Sequence, residues 1–331
     1  MLIRPVCGSV NLNVLVTVAA IAITCSMGVR AADDYPSRPV RIVAPYGAGG
    51  SYDIVSRTIA QKLSEQINQQ VVVDNRPGAT GRIGMEIGVK SPPDGYTMIT
   101  VGSSQTIAPS VHISVPYDLA RSIAPIILHG TISYALVIHP SVPAQTVSEF
   151  VALSKAKPGT LRYGSGGTGG ITHLAGELFN NLTGADIAHV PYKSGALATN
   201  ALLGNEVQMN VLNMLNTLPH IQSGRIRGLG VTGLKRSQFL PSLPTLDEAG
   251  VKGYEMIEFH GFAFPAGTPR PIVMRMHDEL VKALRSDDLR QRLAQQAVEP
   301  LLTSPEEFGS YLLAEQAKYA KIVKTIGLKP D

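Results

Sequence analysis

From Val40 onward, short apolar and β-branched runs alternate with longer stretches in which apolar positions recur every three or four residues. A buried strand hides a few consecutive side chains and an amphipathic helix hides one stripe, so the alternation predicts a largely parallel sheet covered by helices. The first strand is expected at 40–44. Val55, Ile59, Leu63 and Ile67, spaced by four, predict a helix over 53–68. Two short runs bounded by turn signals, 71–73 before NRPG and 96–101 after PPDG, read as buried strands. The same grammar continues with strands expected at 135–138, 161–163, 187–191, 207–212 and 227–232 and helices at 147–156 and 196–203. Another helix is marked by Leu174, Leu178 and Leu182.

The last third reads as helical. Pro271 stands near the start of a helix carrying Ile272, Met276, Leu280 and Leu284 on one face. Ser304 opens SPEE, a capping box with Pro305 at the first helical position and Glu307 three residues past the cap. Phe308, Leu312, Tyr319 and Ile322 or Val323 form its stripe, and Gly327 ends it. No short repeat or low-complexity tract interrupts the pattern, which argues against solenoids and disordered tails.

The N-terminus follows a different rule. Arg4, the apolar run VLVTVAAIAI at 14–23 and the small residues around Ala31 describe a secretory signal peptide over 1–31, cut after Ala31. That run is shorter than the roughly 20 residues a membrane-spanning helix requires. Lipidation at Cys25 is the weaker alternative, because Thr24 precedes it. The chain's 2 cysteines, Cys7 and Cys25, both fall in the leader, so the exported protein is expected to lack disulfides, thiol nucleophiles and thiolate metal sites. Losing Arg4 and Arg30 lowers the formal net charge of +4 by two. With no run of Lys and Arg and no tryptophan, the sequence has no footprint for nucleic acid. A soluble periplasmic protein, large enough to divide its core into two domains, is expected.

Two glycine loops carry the candidate chemistry: APYGAGGSYD at 44–53 and YGSGGTGGITH at 163–173. Each joins a strand to a helix. The first backbone N–H groups of a helix have no intrahelical partner and sit at the positive end of its dipole, so such a loop favours an anion. Glycine lets the backbone approach a ligand closely. Neither loop contains Lys or Arg, which leaves neutral, directional donors, with the Ser51, Ser165 and Thr168 hydroxyls beside them. Two such loops in different halves of one chain suggest a ligand held between lobes.

Rival readings exist for the second loop. Gly164, Gly166 and Gly169 fit GxGxxG, a dinucleotide fingerprint, yet Asp186 precedes the next strand where the motif wants an acid at its end. A secreted hydrolase would use Ser165, but Tyr163 breaks the GxSxG elbow. The 8 histidines are scattered without metal-ligand spacing, and His173, at a helix start, is the one candidate for lining a pocket. No catalytic residue, metal or cofactor is expected.

At this point the residues resemble the Bug receptors, the substrate-binding proteins of tripartite tricarboxylate transporters. The match rests on YPSRPVRIVAPYGAGGSYDIVSR, VVVDNRPGATGRIG with PPDGYTM, VIHPSVP, YGSGGTGGITHLAGELF, HVPYKSGA, PHIQSGRIRGLGVTG, FPAGTPRPIV and TSPEEF. The resemblance implies an α/β, two-lobed periplasmic binding protein fold (type II-like), each lobe a mixed, mostly parallel sheet flanked by helices. Lobe one would hold 35–131 plus 260–331 and lobe two 133–257, with crossing strands near 132–139 and 258–264. It further implies a monomeric receptor that passes a small carboxylate to membrane permease subunits. The expected ligand contacts are Gly49, Gly50, Ser51, Tyr52, Asp53, Ser103, Ser104, Ser165, Gly166, Thr168, Gly169 and Tyr192.

Tyr52 and Ala48 depart from the family's first loop, and Gln208 and Leu212 stand where relatives often carry acids. An added ring and a missing partner for an ammonium point to an organic acid with an apolar or aromatic body rather than an amino acid.

Overall fold

A computed structural model describes residues 35–330. The expected leader, its cleavage point and both cysteines lie outside the described residues. The first half of the chain runs β1 (Val40–Ala44), α1 (Ser51–Ile67), β2 (Val71–Asn75), α2 (Arg82–Val89), β3 (Thr97–Gly102), α3 (Ser103–Val111), β4 (Ile123–Ile138), α4 (Val147–Ala156) and β5 (Arg162–Ser165). The second half runs α5 (Ile171–Thr183), β6 (Ala188–Pro191), α6 (Gly195–Leu203), β7 (Met209–Asn213), α7 (Met214–Gln222), β8 (Arg227–Val231), β9 (Ile257–Pro265), α8 (Arg270–Leu284), α9 (Asp287–Gln295), β10 (Glu299–Pro300) and α10 (Pro305–Thr325).

Two sheets share one strand. In the first, β2, β1 and β3 are parallel neighbours, followed by the antiparallel β9 and β4. In the second, β4 is flanked by β7 and β8, and β7 leads on to the parallel strands β5 and β6. The 16-residue β4 pairs with β9 from Ile123 to Ser133 and with β7 from Tyr134 to Ile138. Residues 258–264 lie wholly within the first sheet, paired with β3 and β4.

The core follows from these strands. On one face Ile132, Ala135 and Val137 of β4 join Ile42 and Val55 to Leu202 and Val231 in a single apolar cluster that runs through both sheets. The other face divides into a cluster around Val101 and Phe259 and another around Leu136 and Tyr163. Helix α10 enters both: Phe308 and Leu312 pack in the former, Tyr319, Ile322 and Val323 in the latter. Its start is the expected capping box, with Ser304 Oγ accepting the Glu307 N–H at 3.1 Å and Glu307 Oε2 accepting the Ser304 N–H at 2.8 Å.

Most expected elements form within a residue or two of their predicted bounds. Four helices and half a strand go beyond the expectation, the first being α2 (RIGMEIGV), whose Gly84 and Gly88 mask its stripe. α3 (SSQTIAPSV) carries Pro109 and polar residues that hide its stripe. α7 likewise contains Pro219, and α9 buries just Leu289 and Leu293. The expected strand 135–138 is the tail of β4, whose first half is disguised by Pro125 and Gly130 at two register shifts against β9.

Candidate functional site

Between the two sheets lies a cavity of about 320 Å³ whose walls are helix beginnings. Gly50 and Ser51 bring the start of α1, Ser104 that of α3, Gly170 to Thr172 that of α5, Ser194 to Ala196 that of α6, and Asn213 with Asn216 that of α7. Such convergence follows from the topology. Strands that point their C-terminal ends at one crevice place the next helix's N-terminus on it. Among the described residues no Lys or Arg lines the cavity, and its one charged residue is Glu258.

α1 and α5 differ from α6 and α7 in how they begin. Ser194 Oγ caps α6 by accepting the Leu197 N–H, and Asn213 Oδ1 caps α7 by accepting the Asn216 N–H. α1 and α5 are capped by Gly50 and Gly170, which offer no side chain. The two caps adopt the same conformation, φ −79° and ψ 168° at Gly50 and φ −79° and ψ 166° at Gly170. The residue before each is a left-handed glycine, Gly49 at φ 80° and Gly169 at φ 75°, a region that other residues enter only with strain. The two loops are therefore one motif used twice, once in each sheet.

The floor is organised by Glu258, at the start of β9 and 3% exposed. Its Oε1 accepts from Ser51 Oγ and from His260 Nε2, the latter at 2.8 Å. Its Oε2 accepts from the Tyr134 hydroxyl at 2.7 Å and from Asn213 Nδ2 at 3.1 Å. Burial pushes this carboxyl's pKa up, but the bonds from His260, Ser51 and Tyr134 outweigh it and hold the group below the usual carboxylate range. The Tyr134 phenol is raised by burial and by Glu258 itself, so it keeps its proton. Glu258 thus joins the first loop to the cap of α7 across the two sheets.

The expected contacts divide around this geometry. Gly49, Gly50, Ser51, Ser104 and Gly166 line the cavity. Asp53 lies behind it, accepting from the Gly49 N–H at 2.8 Å and from Arg57 and Asn75. Ser103 is buried, its Oγ between the Ile257 carbonyl and the Phe259 N–H. Ser165 is buried against His189, and Gly169 donates its N–H to His173 Nδ1 at 3.1 Å. Thr168 is exposed outside the lining, and Tyr192 turns its hydroxyl toward Glu206 at 3.4 Å.

Two arguments about the ligand need correction. The Tyr52 ring neither walls the cavity nor reaches solvent: it is 7% exposed, stacks on Tyr46 at 3.8 Å between centroids and lies 4.4 Å from the His260 ring. Its hydroxyl accepts the Ser103 N–H at 3.0 Å, so it braces α3. Gln208 sits at the far end of its strand region, bonded to Asn205 and Arg162, and only Leu212 faces the cavity. A carboxylate does stand on the floor. Glu258 was missed because no loop motif marks it: it sits in a strand, and only folding brings it under Ser51.

The rival chemistries lose their geometry here. The Gly164 N–H is taken by Asn210 Oδ1 at 2.6 Å and the Gly166 N–H by Thr172 Oγ1 at 2.9 Å, so the GxGxxG glycines do not offer these donors to a pyrophosphate. Ser165 pairs with His189 Nε2 at 2.7 Å but is 0% exposed, which leaves a nucleophile no access to substrate. His173 packs behind the loop, stacked on His189 at 4.1 Å. A second groove of about 360 Å³, between Leu119, Pro125 and Leu313, has Arg270 as its one cation among the described residues, paired with Glu306.

Comparison with known proteins agrees with this arrangement. Protein BugT of Bordetella pertussis is 32% identical over 90% of this chain and 92% of its own length. An R. palustris protein solved with adipate is 34% identical, covers 90% of this chain and all of its own, and superposes with a TM-score of 0.84. The periplasmic binding protein BugD is 31% identical with a TM-score of 0.81 over the same share. This chain thus has the two-lobed periplasmic binding protein fold. The model of the tripartite tricarboxylate transporter family receptor matches residues 55–328, and the chain belongs to that family of solute-binding receptors.

Proposed function

We propose that the protein is a periplasmic receptor that closes its two lobes on a small organic acid and delivers it, chemically unchanged, to the membrane permease subunits of a tripartite tricarboxylate-type transporter. It acts as a monomer. The observation that carries this reading is the pair of glycine-capped helix starts, one in each sheet, facing one cavity without Lys or Arg. Each presents unpaired N–H groups and a positive dipole end, and a carboxylate between them satisfies both. The adipate bound by the R. palustris relative supports a carboxylate ligand. Ligand shifts the lobes toward closure by binding the closed form more tightly than the open one.

With Tyr52 removed from the wall, the described residues that line the cavity include no ring beyond Tyr134. The ligand is therefore defined by its carboxyl groups and not by an aromatic body. A thermal-shift and calorimetric panel of organic acids, amino acids and sugars tests the reading, with NMR of the mixture over hours as the check for turnover. Saturable stabilisation by a carboxylate that stays intact is expected. Stabilisation by a neutral solute alone, or conversion of the acid, overturns it.

A further inference from the structure

Four of the five hydroxyl groups that line the cavity, all but Ser104, fall into two sets. Thr172 Oγ1 accepts the Gly166 N–H at 2.9 Å and Ser194 Oγ accepts the Leu197 N–H at 3.3 Å. Each has filled a lone pair and keeps its own proton to give away. Ser51 and Tyr134 are the reverse: both donate their single hydroxyl proton to Glu258, so toward the cavity they show lone pairs alone. The rim gives protons, and the floor takes them.

We propose that Glu258 is a specificity-determining residue that fixes the Ser51 and Tyr134 hydroxyls as acceptors, so that the cavity selects an acid bearing a hydroxyl group on its chain. This deepens the carboxylate reading and rests on it. The ligand's carboxylates go to the helix starts, and its hydroxyl donates to the floor. An unsubstituted acid places a CH₂ over two oxygen lone pairs and leaves them unpaired in the bound complex, which costs affinity.

The same geometry separates a hydroxyl from an ammonium. Each Glu258 oxygen already accepts two hydrogen bonds, from Ser51 and His260 on one side and Tyr134 and Asn213 on the other. A carboxylate offers about four such positions. An ammonium therefore meets hydroxyl oxygens but no open carboxylate lone pair, which compensates its desolvation only in part. A hydroxyl needs one lone pair.

The test is calorimetry on the full exported protein with three four-carbon acids, succinate, malate and aspartate, and with the five-carbon set glutarate, 2-hydroxyglutarate and glutamate. In whichever length binds, the hydroxy acid is expected at least about tenfold tighter than the unsubstituted acid and tighter than the amino acid. Tyr134→Phe and Ser51→Ala each remove a floor acceptor, and in them the ratio of hydroxy to unsubstituted affinity falls to within about threefold. The ratio is read inside each variant, so a general loss of stability or affinity cancels.

Equal binding of hydroxylated and unsubstituted acids by the unaltered protein overturns the proposal. So does a ratio that survives in both variants, or a preference for the amino acid, which would mean that the floor reads a cation through Glu258. Binding of no acid of either length fails the carboxylate reading itself, a result distinct from the others.

Discussion

Asp53 and His173 perform the same task at the two glycine loops. Each stands three residues past a glycine cap and accepts the N–H of the residue before that cap, Gly49 at 2.8 Å and Gly169 at 3.1 Å. The bond holds the loop open toward the cavity without filling its free N–H groups. The two acceptors differ in chemistry: His173 accepts through Nδ1 and can do so only while that nitrogen is unprotonated.

Acid therefore acts on the second loop through its histidines. Burial lowers the pKa of His173, and burial with the adjacent His173 ring lowers His189 to about 4. Buried His129 is lowered in the same direction, by burial first and His260 second. A group lowered on folding contributes stability that is complete above its unfolded pKa of about 6.5 and is lost as pH falls toward the folded value. The melting temperature should decline between pH 6.5 and 4. His173→Asn, which keeps an acceptor that does not titrate, should flatten that decline, and melting curves across this range check it.

Glu258 is expected to be the costliest cavity residue to remove. Glu258→Ala strands the buried donors of Tyr134, Asn213 and His260. Breaking such a buried charged network typically costs about 3–5 kcal/mol. Urea unfolding should show a loss of that size, and a change under about 1 kcal/mol would mean that the four bonds carry little.

Gly49 separates backbone strain from packing. A Cβ built there meets no atom within 4 Å, yet the residue sits at φ 80°. Gly49→Ala should cost about 1–2 kcal/mol through the left-handed backbone alone. Carboxylate affinity should fall as the loop shifts, by calorimetry, because Gly49 lies in the lining.

Tyr52→Phe removes the acceptor for the Ser103 N–H from a ring already buried. An orphaned buried donor costs about 1–3 kcal/mol. Denaturation should show that loss, while the order of preference among acids stays the same. A changed order would return Tyr52 to the cavity wall.

The sequence announces what local chemistry dictates. The SPEE box, the four-residue stripe of α1 and the glycine runs before α1 and α5 are complete within ten or so residues, and the structure forms them where their signals stand. Glu258 and Tyr134 carried no such signal. They are separated by more than a hundred positions and meet because β4 and β9 are antiparallel neighbours, a pairing no local pattern encodes. Tyr52 shows the opposite failure: its place in the loop was legible, but the direction of its side chain depended on Tyr46 and His260 arriving on the same side. Of the expected site, the backbone was readable and the floor was not.

Strand β4 has a further consequence, for inheritance. It spends its first stretch in one sheet and its last in the other without a break. Side chains alternate along a strand, so inserting or deleting one residue near Ser133 would turn every later side chain of β4 to the opposite face. Recombination between related genes that joins them within β4 keeps the packing of both sheets only if β4's residue count, odd against even, is unchanged.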